Sequence, residues 1–335
     1  MAANTDVNRS LRLIRRRLAT SIPVLLIVIA LTFVLLEAAP GDAVDAYLLS
    51  IGGGDATVAA GLRQSYGLDQ SLTSRLFLYL TRLAHLDLGW SVAFDRPVTS
   101  LIAERLPNTL ALMGSATCLS FALGSALGII AGSKTKSITD RVLSTVSLIL
   151  YSIPGFWLGL VLSLFFAVQL RWLPTAGIET IASGKTGVDR LLDIGRHLIL
   201  PVGALSLIYT ALFLRVMRAG MAQVWQLDFV LFARAKGLSR SRIVLRHVAR
   251  NAILPLVTML GLQAATMLGG SVVIESIFAI PGFGRLAHEA VTGRDAPLLM
   301  GIIIVSALMV ILVNLAVDLL HTTLEPRIGA SEATR

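Results

Sequence analysis

The string in this sequence that comes nearest to a nucleotide site is Gly184-Lys185-Thr186, which ends like a phosphate-binding loop. Such a loop needs another glycine five residues before Gly184, because its backbone N–H groups cradle the phosphates, but Glu179 stands there. The five histidines show no metal-ligand spacing, and the single cysteine, Cys118, excludes a cysteine-based zinc site and a disulfide within the chain. We therefore predict no catalytic residue, no bound metal and no cofactor in this chain.

Acidic residues close to the longest apolar stretches are few: Glu37, Glu275 and Asp318, each within a few residues of an end. A carrier driven by protons or sodium ions is expected to keep a carboxylate near the membrane midplane. The pattern argues against such a carrier and assigns the energy source to another subunit. Glu275, which precedes a turn with Pro281 and Gly282, is a candidate outer-gate residue, and a capped helix end is the alternative.

A basic segment, Arg215–Arg250, holds eight basic residues and one acid. Within it, Asp228–Lys236 has the pattern of a short helix with its first residue as the N-cap and Gly237 as the stop. A short helix that exposes Phe229 and Phe232 among charges is typical of a segment that enters a cleft on another protein. A basic face lying on anionic lipid is the alternative.

The composition indicates where these residues lie: the chain of 335 residues is 55% hydrophobic and only 15% charged. A soluble fold could not bury so much apolar surface, which excludes an ordinary cytosolic enzyme, a disordered chain and a collagen-like fibre. We predict an all-α integral membrane protein with six transmembrane helices, since about 20 apolar residues cross a bilayer. The six uncharged stretches are 18–36, 106–133, 142–170, 198–214, 251–274 and 296–317.

Within these stretches, small residues recur at fourfold spacing and predict close helix–helix contacts. The two sets are Ser120, Gly124, Gly128 and Gly132, and Gly261, Ala265 and Gly269. Pro154 and Pro255 lack an N–H donor inside apolar stretches and are candidate helix kinks. Such kinks either border a pathway or are plain structural bends.

The distribution of Lys and Arg predicts the orientation. With the N-terminus in the cytosol, the cytosolic segments hold 18 basic residues against five acids, so both termini are expected there. The predicted parts are a basic N-terminus (1–17), a first transmembrane helix (18–39), an extracytoplasmic segment (40–105), a five-helix core (106–320) with the loop 215–250, and a tail (321–335).

The extracytoplasmic segment has no long apolar run. Its residues Leu72–Leu86 have amphipathic helical periodicity. A long, partly ordered outer segment is typical of a surface that meets a substrate or a delivering protein. A structural cap over the helices is the alternative.

Several strings resemble one known family. "ARAKGLSRSRIVLRHVARNAILPLVT" is similar to the EAA loop of bacterial ABC importer permeases, in the oligopeptide/dipeptide/nickel branch, with Gly237 as its glycine and Pro255 as its later proline. Leu231 and Phe232 replace the name-giving Glu and first Ala. Further strings follow in family-like order over nearly the whole chain: "APGDA", "YGLDQSL", "LDLGWSV", "ERLPNTLAL", "SIPGFWLGL", "WLPTAG", "VVIESIFAIPGFGRL" and "VNLAVDLLHTTLEPRI".

This resemblance implies a type I ABC importer permease fold in the bacterial inner membrane. It implies a second, homologous permease subunit, two ATPase subunits that use ATP and Mg, and an extracytoplasmic substrate-binding protein. It also implies a coupling helix that enters an ATPase groove. The coupling residues are Phe229, Phe232, Ala233, Arg234, Ala235, Lys236, Gly237 and Leu238.

The resemblance also implies a substrate class, with peptides as the first expectation and nickel or glutathione-like compounds as alternatives. Two other classes of protein fit the residues less well. An ion-coupled secondary transporter needs a buried coupling acid, and an intramembrane enzyme needs a His or Lys near a span centre to activate its nucleophile. The sequence shows neither feature.

Overall fold

The computed structural model describes residues 2–38, 44, 48, 56–65 and 70–324, and this part of the chain is mostly helical. The string "APGDA" and the last eleven residues lie outside it. The elements, in chain order, are α1 (Ala2–Ala38), α2 (Ala56–Ser65), α3 (Leu72–Ala84), β1 (Trp90–Ser91), β2 (Arg96–Pro97), α4 (Val98–Ser133), α5 (Ile138–Ser152), α6 (Gly155–Leu162), α7 (Gly187–Val224), α8 (Asp228–Ala235), α9 (Arg240–Arg242), α10 (Ala249–Ile277), α11 (Phe283–Thr292) and α12 (Ala296–Leu324).

The described helices include five that are long and apolar enough to cross a membrane. The bent pair formed by Ile138–Ser152 and Gly155–Gln169 raises the number to six if it is one span. The five are Ala19–Ala38, Val98–Ser133, Gly187–Val224, Arg240–Gln263 and Ala296–Leu320. The predicted all-α membrane fold is therefore confirmed, with five or six spans.

One compact unit comprises residues 1–109 and 281–312. The strands β1 and β2 form an antiparallel hairpin in which Trp90 is opposite Pro97. The buried Asp295 carboxylate fastens this hairpin to the start of α12: it accepts hydrogen bonds from Ser91 Oγ (2.6 Å) and from the backbone N–H groups of Ala93 and Leu298 (3.0 Å each). The apolar core beside the hairpin consists of Leu88, Val98, Leu101, Ile102, Phe283, Leu286, Ala290, Leu298 and Ile302.

The other unit comprises residues 110–280 and 313–335. Here the predicted glycine stripe of α4 packs against α7: Gly124 faces Phe213, Gly128 faces Met217 and Gly132 faces Met221. A Cβ atom added at Gly128 would lie 2.5 Å from Cβ of Met217, so only glycine permits this approach of the two backbones. Gly261 likewise faces Val317. The predicted contact stripe of α4 is confirmed at these three glycines, and the second predicted set at Gly261.

The two candidate kinks behave differently. At Pro154 the chain bends by 99° between α5 and the helix that begins at Gly155, so the predicted kink is a break. Ile153 is extended, with ψ of 129°, because a residue before proline is driven out of the helical region. Pro154 is also extended, with ψ of 133°. α10 continues through Pro255 without a break. A π-helical segment, Ile243–Val248, joins α9 to α10, so the helix is continuous from Arg240 to Ile277.

Candidate functional site

The short helix predicted in the basic loop is present as α8, which follows α7 after one turn. The helix covers Asp228–Ala235, but the predicted Asp228 N-cap is wrong. Leu227 occupies that position with an extended backbone, and Asp228 lies in the first turn. There its charge faces the positive end of the helix dipole, which is favourable without a capping hydrogen bond.

α8 has one buried face and one exposed apolar face. Val230 and Ala233, three residues apart, are 1% and 5% exposed and belong to a core with Met221 and Val248. Leu231 and Phe232 are each 67% exposed. Fixed on its inner side and apolar on its outer side, the helix presents a rigid docking surface.

Gly237 ends α8 in a backbone conformation that favours glycine, with φ of +71°. The Gly237 N–H donates to Arg234 O (2.9 Å), and the Leu238 N–H donates to Ala233 O (3.3 Å). This is the Schellman arrangement, in which the left-handed residue lets the last helical carbonyls find donors. A Cβ at this position would meet nothing within 4 Å, so backbone conformation, not space, requires the glycine.

The other predicted coupling residues surround this stop. Arg234, Ala235 and Lys236 are exposed on the last turn of α8, and Leu238 is half-buried against the core. The Arg234 guanidinium lies 5.0 Å from the centroid of the Trp225 ring, a cation–π contact at the end of α7.

Two hydrogen bonds connect the elements that flank α8 to the end of α4. Trp225 Nε1 donates to Gly132 O (2.9 Å), and Arg240 Nη2 donates to Ser133 O (2.9 Å). These two short contacts join the segments on either side of α8 to the residues just before the α4–α5 turn (residues 134–137).

An ion pair between a buried acid and a partly exposed arginine holds the far side of the same turn. The Asp140 side chain, 2% exposed, accepts from Arg218 Nη2 at 2.9 Å and also from Arg218 Nε. It further accepts from the Lys136 N–H (2.8 Å), while Ser137 Oγ accepts from the Asp140 N–H (3.2 Å). Ser137 thus caps α5, while Asp140 in its first turn holds the preceding backbone and binds α5 to α7.

Sequence reasoning did not single out Asp140 or Arg218 as functional. The available signals were the Ser137-x-x-Asp140 spacing of a capping box and the presence of one acid among four charges in residues 134–141. Neither signal identifies a partner 78 positions along the chain.

The three candidate gate residues fall in different parts of the structure. Glu275, fully buried at 0% exposure, lies two residues before the end of α10, and its carbonyl accepts from the Ile280 N–H (2.8 Å). Pro281 and Gly282 belong to the other compact unit, where Gly282 is the N-cap of α11. Asn108 Nδ2 donates to Pro281 O at 2.8 Å.

The Gly184-Lys185-Thr186 string lies in a loop where the charges are paired. Lys185 Nζ is 2.5 Å from Asp193 Oδ1. The Arg190 guanidinium donates hydrogen bonds to both carboxylate oxygens of Glu179, at 2.6 and 3.1 Å. This hydrogen bonding lowers the pKa of Glu179. The loop lines an open depression of about 340 Å³ on the surface. Within the described residues no cluster of three His, Cys, Asp or Glu could hold a metal ion.

Comparison with known proteins places these features in a family context. The family described as the binding-protein-dependent transport system inner membrane component matches residues 124–330, and the N-terminal family of the same components matches residues 10–113. The chain is 36% identical over 318 residues to the oligopeptide transport system permease protein AppB of Bacillus subtilis, covering 93% of this chain and 98% of that protein.

Two further relatives match this chain over a similar share of its length. The di/tripeptide transport system permease protein DppB of Pseudomonas aeruginosa is 37% identical over 95% of this chain and 98% of its own length. The glutathione transport system permease protein GsiC of Pectobacterium atrosepticum is 38% identical over 93% and 97%. A solved structure of the MetNI methionine ABC transporter, inward facing, shares the fold with a TM-score of 0.54 at 17% identity, covering 68% of this chain and 97% of that one.

Proposed function

Because this chain belongs to the family of inner membrane components of binding-protein-dependent transport systems, we propose that it forms half of the translocation pathway of an ATP-driven importer for peptides. The exposed apolar face of α8, fixed on a buried inner face, is the observation that carries the coupling role. The peptide substrate is supported by relatives named as oligopeptide and di/tripeptide permeases.

The chain is the permease of such a system, and partner subunits hydrolyse the ATP. We propose a second permease subunit, two ATPase subunits that use ATP and Mg, and a substrate-binding protein as its partners. We also propose that both termini lie in the cytosol, which the 18 basic residues against five acids on that side support. This orientation places α8 where the ATPase subunits are.

In the proposed mechanism, α8 seats in a groove of an ATPase subunit and moves with it as a rigid body. Since α8 is packed into the α7 and α10 core by Val230 and Ala233, it cannot move without carrying the ends of those helices. The bonds from Trp225 and Arg240 pass the displacement to α4, and the Asp140–Arg218 pair passes it to α5.

Glu275, Pro281 and Gly282 are proposed as parts of the outer gate. Glu275 is fully buried near the end of a membrane-spanning helix, and the Pro281-Gly282 turn follows it closely in the chain. An ionisable residue buried within a membrane protein is costly and commonly functional, which supports this proposal.

Replacing Glu275 with alanine should change peptide uptake or the basal ATPase rate of the assembled complex several-fold. Glu275→Gln is the matched variant, because it keeps the volume and removes only the charge. An effect of both variants assigns the role to the charge, and an effect of alanine alone assigns it to packing. Wild-type uptake and ATPase rates in both would show that Glu275 has no gating role.

Glutathione is the second candidate substrate, since one relative with 38% identity is a glutathione permease. Nickel, the other alternative from the resemblance, has no comparable observation in its favour.

The proposal is tested by purifying the tagged chain in mild detergent together with its genomic neighbours and reconstituting the complex in vesicles. We expect a second permease and ATPase subunits to co-purify, and ATP to drive uptake of labelled di- to pentapeptides when the binding protein is added. Uptake of glutathione in place of peptides would transfer the assignment to the second candidate. A chain that purifies alone under several mild conditions would refute the importer assignment.

A further inference from the structure

The amphipathic helix α3 packs on membrane helices and not only on other parts of the outer segment. Its Tyr79, Leu80 and Leu83 contact a small core of three buried residues. These three are Ile29 in α1 and Met300 and Ile304 in α12. Both helices are membrane spans, and Ile29 lies near the middle of the span Ala19–Ala38.

Two contacts show how α3 runs. Near its start, Arg75 forms an ion pair with Glu37 at the end of α1. One turn further, the Tyr79 and Phe33 rings lie 6.5 Å apart between centroids. The partner numbers rise by four in α3 and fall by four in α1, so α3 runs back along α1. With a rise of about 1.5 Å per residue, Tyr79 lies about 6 Å, and the Ile29 level about 12 Å, from the Glu37 level.

The outer face of α3 carries two large exposed apolar side chains. Phe77 is 71% exposed and Leu78 is 40% exposed, between the exposed polar residues Ser74, Thr81 and Arg82. Beside them, α1 exposes Leu31, Val34 and Leu35 by 57%, 47% and 61%. Only 6% of the apolar window of α1 is buried, as expected for a helix whose solvent is lipid. Phe77 and Leu78 extend that apolar surface close to the Glu37 level.

We propose that α3 is inserted in the outer leaflet of the membrane, with Phe77 and Leu78 in contact with lipid acyl chains. The α1 contacts place Phe77 and Leu78, two and three residues after Arg75, about 3 to 5 Å from the Glu37 level, at the depth where headgroups meet acyl chains.

The experiment uses site-directed spin labelling of the full complex in lipid nanodiscs. The chain has one cysteine, so Cys118→Ser gives a cysteine-free background for this subunit. A nitroxide at Phe77→Cys is compared with one at Leu31→Cys, on the lipid face of α1, and one at Ile181→Cys, a loop residue that is 92% exposed. The measurement is relaxation by oxygen, which concentrates in lipid, against relaxation by a polar nickel chelate, which stays in water.

The ratio of oxygen to nickel-chelate accessibility at position 77 should exceed that at position 181 several-fold and approach that at position 31, which lies deeper in the leaflet. A ratio like that at position 181 would place α3 in water, and protection from both reagents would place it against the second permease. Either result overturns the proposal. Leu78→Cys repeats the test if the first variant assembles poorly. The proposal requires only the membrane setting and orientation, so it can fail while peptide import stands.

Discussion

Replacing Phe232 with glutamate should abolish ATP-driven uptake while the chain still inserts in the membrane and pairs with its partner permease. Two-thirds of this side chain is exposed on α8, so the change does not touch the core of the chain. Buried aromatic anchors at interfaces are worth about 2–4 kcal/mol, which is a loss of about 30- to 1,000-fold in affinity. The measurements are recovery of ATPase subunits with the tagged permease and peptide uptake in vesicles.

The matched control is Ile138→Glu. Ile138 is 80% exposed, begins α5, and lies on the same side of the membrane in the proposed orientation. The substitution adds the same charge to an exposed apolar site, and an acid in the first turn of a helix is favourable. Normal uptake in this control and loss in Phe232→Glu locate the docking surface on α8. Normal recovery of ATPase subunits with Phe232→Glu would refute the coupling-helix assignment.

The helix α8 could be predicted from sequence because its signals are local. Phe229 and Phe232 at helical spacing, followed by Gly237, predict a short helix with an apolar face and a left-handed stop, and α8 has these features. The predicted N-cap, Asp228, is one residue too far along the chain. An Asp at the start of a helical run resembles an N-cap even when it occupies the first turn. Only the backbone of Leu227 distinguishes the two cases.

Features that depend on distant partners could not be predicted. The stripe of Gly124, Gly128 and Gly132 predicts a contact, but it does not say that Phe213, Met217 and Met221 fill it. Pro154 predicts a bend, but the 99° angle depends on packing on both sides. The periodicity of Leu72–Leu86 predicts a helix, yet its course along α1 follows from Arg75–Glu37 and Tyr79–Phe33 contacts.

The Asp140–Arg218 pair leads to the second large expected effect, because it links α5 to α7 but lies outside the exposed face of α8 that we propose docks on the ATPase. Arg218→Gln should leave Asp140, with 2% of its side chain exposed, without its charged partner. Removing one member of a fully buried ion pair costs about 3–5 kcal/mol of stability. Breaking a surface ion pair costs at most about 1 kcal/mol. Arg218 is 37% exposed, so an intermediate cost of about 2 kcal/mol is appropriate.

A loss of that size at the α5–α7 junction should uncouple the transporter and leave it assembled. ATPase subunits should still be recovered and ATP still hydrolysed, because α8 and its core are intact, while peptide uptake falls about ten-fold or more. The measurement is the number of ATP molecules hydrolysed per peptide transported in vesicles, which should rise by the same factor.

The double variant Asp140→Asn with Arg218→Gln separates the contact from the fold. The new amide oxygen can still accept from the Lys136 N–H, so the start of α5 stays capped, and no buried charge is left without its partner. We expect the double variant to recover part of the coupling that either single change loses, because coupled residues deviate from additivity. Equal losses of ATP hydrolysis and uptake in the single variants would mean that the pair supports assembly alone. Wild-type coupling in both single variants would exclude the pair from the transmission path and leave the Trp225 and Arg240 bonds as the route from α8 to α4.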